Sequence, residues 1–360
     1  MLLNLIKDKY KTISIVGMSK NSGKTVALNH LINEAEKSKI PIGITSIGRD
    51  GEFKDIITEL EKPRIYVDKG TIIASTEELL KLGSAEIEIL RTTDFRTPLG
   101  NIIIGKVKSN GNIEIGGPQT LAEMKEIIDI MHCLGAEIVI MDGALDRRSS
   151  AAPTISEATI LSTGAVLSRD MNKVVEQTLH AVKLFNLPAI EDKRVRDIMS
   201  NSMNENKIEL IDKNLNVNTL SLPTAIGGGK NIGGRIKDDS KYLVIPGSLV
   251  KDTIEDIIYT TKRFKYIDIV VNDGTKIFID YRDFIRFQRL GVKIKVLHPI
   301  DLIGITVNPY SPTGYSFDPI EFLEKMQAKI KDIPIVDCES ELCIVHCALS
   351  FQLCIVNCEL

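Results

Sequence analysis

The stretch TISIVGMSKNSGKT, residues 12–25, decides how this chain is read. It begins as an apolar, β-branched run of strand character and ends where a helix can open at Lys24. Between the two, Gly17 and Gly23 bracket a short polar loop. A phosphate-binding loop has this form, with one difference: the common spacing G-x-x-x-x-G-K-[ST] would put glycine at position 18, which is Met18 here. The chemistry asks for backbone N–H groups from about Lys20 to Thr25 near the positive end of a helix dipole. The expected nucleotide-binding residues are therefore Gly17, Ser19, Lys20, Asn21, Ser22, Gly23, Lys24 and Thr25. Lys24 would neutralise phosphate oxygens as a point charge, and the Thr25 hydroxyl would reach Mg²⁺. The plain alternative is an ordinary strand–helix turn that contains a lysine.

Such a loop needs an acid at the end of a neighbouring strand to hold the magnesium shell. EIVIMDG (137–143) supplies Asp142 in that place, as a catalytic and metal candidate beside Lys24. GRDGEFKD (48–55) follows the second strand, and there Asp50 is a catalytic candidate and Asp55 a metal candidate. Arg147 and Arg148, just after Asp142, are either anion forks or an exposed loop pair.

Around this motif the chain alternates short apolar runs with amphipathic stretches. TISIVG, IPIGITSIG, RIYVD, TIIAS, AEIEIL, NIIIGKVKS, AEIVIMDG and ATILSTGAVL read as strands. Helices are expected from Lys24 to about Ser38, from about Gln119 to Leu134 and from about Met171 to Phe185. That pattern predicts an α/β fold with a mainly parallel sheet covered on both faces. A polar stretch near 195 suggests a boundary, giving a nucleotide-binding domain over 1–195 and a second, smaller α/β domain over 200–336. GGGKNIGGRIK (227–237), with five glycines and three basic residues, reads as a mobile surface loop; a basic phosphate- or partner-binding loop is the sharper alternative.

Composition narrows the function classes. With 360 residues and a formal net charge of −3, there is no whole-chain electrostatic case for nucleic acid as a partner. The start, MLLNLIKDKYK, is too short in apolar residues for a signal peptide, and a cytoplasmic protein without a membrane span is expected. Cys133 stands alone until Cys338, after which four more cysteines follow by Cys358. That tail, 337–360, repeats LCIVHC as LCIVNC. It is atypical of the rest of the chain, fits neither a zinc knuckle nor a membrane span well, and reads as readily as a non-native extension.

The longer loop matches G-T-x-x-x-x-G-K-[ST] apart from Met18, so residues 10–190 resemble the dethiobiotin synthetase and MinD-like class of P-loop NTPases. The second lysine of the MinD branch is not matched, because its position holds Ser19. An amidotransferase of the related cobyric acid synthase group is argued against, since 196–336 lack cysteine and hold one histidine, His298. A cobalamin-carrying D-x-H-x-x-G loop is also missing, with Asp129 one residue too far from His132. GMSKNSGKT, DGALDRRSSAAP, ATILSTGAVLSRDM and VNPYSPTGYSFDP together resemble the P-loop subunit of the reactivase that serves lysine 5,6-aminomutase. That resemblance implies an ATP- and Mg-dependent, chaperone-like ATPase, with GTP not excluded. Its implied partners are the adenosylcobalamin-dependent aminomutase and a second reactivase subunit. The rival expectation is an ATP-dependent ligase or kinase of the dethiobiotin synthetase type.

Overall fold

Residues 12–17 form a strand, and all six are buried. The structure is a computed structural model that describes residues 2–47, 64–144, 155–339, 342–346 and 353–357. Two units emerge, one of Met1–Thr178 with Asp301–Leu360 and one of Leu179–Ile300.

In chain order the first unit opens with α1 (Leu2–Ile6), β1 (Thr12–Gly17), α2 (Lys24–Lys37), β2 (Ile42–Ser46), β3 (Ile65–Val67) and β4 (Ile72–Thr76). It continues with α3 (Glu77–Leu80), the hairpin β5 (Ile87–Thr97) and β6 (Gly100–Val107), β7 (Gly111–Ile113), α4 (Leu121–Cys133), β8 (Ile138–Ala144), β9 (Ala158–Gly164) and α5 (Met171–Phe185), inside which the division falls. The second unit contains α6 (Lys193–Asn204), β10 (Glu209–Asp212), β11 (Val217–Thr219), α7 (Gly229–Arg235), β12 (Ser240–Ile245) and β13 (Leu249–Val250). After these come α8 (Lys251–Thr260), β14 (Asp268–Val271), β15 (Ile277–Phe278), α9 (Tyr281–Leu290) and β16 (Lys293–Val296). The chain then returns to the first unit with β17 (Leu302–Asn308), β18 (Tyr310–Ser311), β19 (Tyr315–Ser316), α10 (Pro319–Lys329), β20 (Ile335–Asp337), β21 (Leu342–His346) and β22 (Leu353–Asn357).

The fold is mixed α/β around one large, mostly parallel sheet, in the order β22-β21-β20-β17-β9-β1-β8-β2-β4-β6-β5. Strands β20 to β4 run parallel, and the antiparallel pairs lie at the two edges. The central strands are continuously apolar because helices cover both faces. Ile13 and Ile15 point to the face packed by Leu28 and Leu31 of α2, while Val139 and Met141 meet Ile127 and Met131 of α4 on the other. Local signals agree with this packing. Thr120 and Glu123 form a reciprocal capping box that starts α4, and Asp318 caps α10 ahead of Pro319.

Two readings of the sequence need correction. Residues 301–336 were expected in the second domain, yet β17 pairs with β9 and β20 with β17, so both complete the first sheet. The expected boundary near 195 falls inside the second unit, which spans 179–300. A parallel strand looks the same whichever sheet receives it, so alternation alone cannot reveal a chain that leaves a sheet and comes back.

The second correction concerns 227–237. Among these residues Gly229–Arg235 form α7, which packs tightly on α8. A Cβ at Gly229 would lie 2.5 Å from Asp256 Cβ, and one at Gly233 would lie 2.8 Å from Thr260 Cβ. The two glycines, four apart, share one helix face and let the backbones approach. Gly233→Leu is expected to destabilise the chain by about 1–3 kcal/mol through overpacking, read as a lower urea midpoint. An unchanged midpoint would remove the close helix pair.

Candidate functional site

The loop 17–24 leaves β1 at the C-terminal edge of the parallel strands. Ligands of open α/β sheets commonly sit at that edge. Met18, where the commoner motif has glycine, continues the strand: its N–H donates to the Ser162 carbonyl at 2.9 Å. Its sulfur accepts from the Thr178 hydroxyl at 3.5 Å, and that hydroxyl also contacts Thr163 at 2.8 Å. The extra residue thus anchors the loop before it turns. Glycine is required at position 17 by the returning loop, since a Cβ there would stand 2.4 Å from Ser22 Oγ and 2.7 Å from Lys24 Cγ.

Left-handed backbone at Asn21 (φ 62°) and Gly23 (φ 93°) brings the chain round into α2. Lys24 and Thr25 open that helix, whose first amides have no intrahelical acceptor. Ser19 Oγ donates to the Lys20 carbonyl at 2.9 Å. Ser22 Oγ is buried and has no hydrogen-bond partner among the described residues. An orphaned hydroxyl beside a helix N-terminus is the chemistry a bound anion satisfies.

Lys24 reaches across to β8. Its Nζ donates to the Gly143 carbonyl at 2.8 Å and lies 3.5 Å from Asp142 Oδ1. Asp142 is placed by the sheet register, opposite Ile15 of β1 and Ser46 of β2, so its side chain shares the face covered by α2. Burial pushes the Asp142 carboxyl above the ordinary carboxylate range, and the Lys24 charge pulls it part of the way back. The Ser46 hydroxyl donates to the Asp142 carbonyl at 3.2 Å.

The sequence candidates Lys24, Thr25 and Asp142 therefore share one strand edge with Gly17, Ser19, Lys20, Asn21, Ser22 and Gly23. Asp50, Asp55, Arg147 and Arg148 lie outside the described residues. The donors present suit a phosphate with a hydrated Mg²⁺. Orphan amides and Lys24 would face the phosphate, while one hydroxyl and one carboxylate are what Mg²⁺ takes when phosphates and water complete its shell. No cluster of three or more metal-ligating side chains occurs among the described residues.

One neighbour was missed. Asn308, at the end of β17, sits against the loop: a Cβ on Gly23 would be 2.9 Å from Asn308 Cβ, and one on Gly164 would be 2.5 Å from the Asn308 carbonyl oxygen. Its Oδ1 accepts from the Tyr310 amide at 2.9 Å, tying the β18–β19 hairpin to the site edge. The Arg169 guanidinium lies 5.3 Å from the Tyr315 ring of that hairpin. The segment VNPYSPTGYSFDP stands out in the sequence, but its place beside the loop depends on β17 joining the first sheet.

Other features stand apart. His132 is structural, with Nδ1 2.8 Å from the Ala136 carbonyl oxygen at the end of α4. A cavity of about 360 Å³, lined by Glu36, Lys39, Ile42, Asp68, Thr71 and Lys106, opens at the N-terminal ends of β2 and β4, the edge opposite the loop. Among the described residues no helix is long and apolar enough to cross a membrane. Compared with the known protein families and with curated proteins, the chain matches none.

Proposed function

We propose that this chain is a nucleotide-dependent reactivase subunit that binds ATP and Mg²⁺ at the 17–25 loop and assists an adenosylcobalamin-dependent lysine 5,6-aminomutase. The observation that carries the nucleotide part is Lys24, seated at the start of α2 and 3.5 Å from the strand-end carboxylate of Asp142. A helix N-terminus, a loop lysine and an acid on the adjacent strand are the parts phosphoryl chemistry needs for positioning and charge neutralisation. When bound, Mg²⁺ would supply charge stabilisation of the phosphate oxygens. The residues of the chain do the rest. The loop amides and Lys24 would hold the phosphates, the Thr25 hydroxyl and Asp142 would hold the metal shell, and Gly17 lets Ser22 and Lys24 close over the strand end.

The assignment to a reactivase rests on the resemblance of four segments, including GMSKNSGKT and VNPYSPTGYSFDP, to that family. It gives the turnover a purpose: a change of shape on hydrolysis that loosens a damaged cofactor from its enzyme. Phosphate release by the full chain tests it, with ATP or GTP, alone and with cobalamin-inactivated aminomutase and the second reactivase subunit. The expected result is slow turnover alone and a rise when the mutase and the second subunit are added. Tight ATP binding with no response to either protein would sink the reactivase reading and direct attention to small-molecule acceptors.

A further inference from the structure

Charge is divided unevenly between the units. Leu179–Ile300 carries 20 lysines and arginines against 15 acids, whereas the rest of the chain carries 25 against 33. The overall charge of −3 conceals a basic second unit. Its parallel strands β12, β14 and β16 are in register, so their N-terminal ends form one edge. Lys241 and Lys293 stand at the starts of β12 and β16, and Lys262, Arg263 and Lys265 lie in the single turn that feeds β14. All five are exposed.

The same turn is flanked by two tyrosines with almost the whole ring in water, Tyr259 at 88% exposure and Tyr266 at 78%. Tyrosines are ordinarily buried over much of their surface, and solitary exposure at one site would mean little. Here two bracket a basic turn whose one buried residue, Phe264, fixes it to the core. Acids nearby are partly engaged: Arg263 pairs with Asp238, and Lys295 holds Asp268 at 2.9 Å. Lys262 and Lys265 remain the outward charges between the rings.

We propose that this edge docks an acidic protein surface, and that the occupant is the protein partner required by the proposed function, on which this inference rests. Tyr is among the residues that protein interfaces use as anchors, and outward lysines at a rim steer an acidic partner toward it. A polyphosphate strand fits less well, because Asp238 and Asp239 interrupt the basic run and the rest of the chain is acidic.

The test compares the full chain with Lys262→Glu/Lys265→Glu and with Tyr259→Ser/Tyr266→Ser. Affinity is measured for the aminomutase with the second subunit, and thermal unfolding and ATP binding serve as controls. All four side chains are exposed, so both variants are expected to fold and bind ATP as wild type. The charge variant is expected to bind the partner at least about 10-fold more weakly at low salt, with the difference shrinking as salt rises. The tyrosine variant should lose a similar factor at every salt concentration. Wild-type affinity in both variants would overturn this docking surface and leave the reactivase reading standing. Absence of binding by the wild-type chain would overturn the reading and the inference together. Binding of single-stranded oligo(dT) tighter than partner binding, and lost in the same variants, would replace the protein partner with nucleic acid.

Discussion

Lys24→Ala is expected to lower nucleotide turnover by about 10²–10³-fold, the loss typical of removing one fixed electrostatic contact to a developing charge. Nucleotide affinity should fall with it, since under the proposed function Lys24 would face the phosphates before and during the reaction. The structure adds a second consequence. Lys24 is the cation 3.5 Å from Asp142, and its removal leaves a partly buried carboxylate with that attraction gone. Both side chains keep some contact with solvent, so the expected destabilisation is about 1–2 kcal/mol rather than the larger figure for a fully buried pair. Isothermal titration with a non-hydrolysable ATP analogue reads the first effect, and urea unfolding without nucleotide reads the second. If the variant binds nucleotide within about 3-fold of wild type, the loop is an ordinary strand–helix turn and the nucleotide reading falls. Lys24→Arg separates the two roles. It keeps a positive charge near Asp142, so stability should largely return, while the planar guanidinium replaces the compact ammonium and turnover should stay low.

Much of this arrangement was legible before the structure. The run TISIVG reads as a buried strand of a sheet covered on both faces, and Gly-Lys-Thr after a glycine-bracketed loop signals a helix start. Asp142 is legible as a strand-end acid because the apolar run from Ile138 to Met141 leads to it without a polar interruption. What escaped was long-range or hidden by averaging. β17 and β20 carry no mark that they return to the first sheet, because the parallel ladder is indifferent to sequence separation, and Asn308 was invisible for that reason. The number of glycines in 227–237 suggests mobility, whereas the spacing of Gly229 and Gly233 puts both on one helix face. The two LCIV repeats of the tail pair with each other as the antiparallel strands β21 and β22, a relation the repeat allowed but did not require. The net charge was true of the whole chain and misleading for each unit.

Asp142→Asn should separate stability from chemistry. Burial raises the Asp142 carboxyl above its ordinary value of 3.8 in the folded chain, and Lys24 only partly offsets the shift. The folded state therefore binds this proton more tightly than the unfolded state does. Stability from this group is fully present below the unfolded value, and it is lost as pH rises through the folded one. Above the unfolded value the folded chain disfavours the carboxylate that the unfolded chain forms freely, so the neutral amide should leave the nucleotide-free chain more stable there. The stability profile above about pH 4 should also be flatter, because the titrating group is gone. Lys24 retains the Gly143 carbonyl as an acceptor at 2.8 Å, so the substitution does not orphan its ammonium. Turnover moves in the opposite direction. Without the carboxylate that would face the magnesium shell, phosphate release should fall by at least about 10²-fold. A gain in stability with a loss of activity is the signature of a group held in place for function against the preference of the fold. Loss of stability at pH 7 instead would mean that attraction to Lys24 outweighs burial. In that case the double variant Lys24→Ala/Asp142→Asn should lose less than the sum of the two single substitutions.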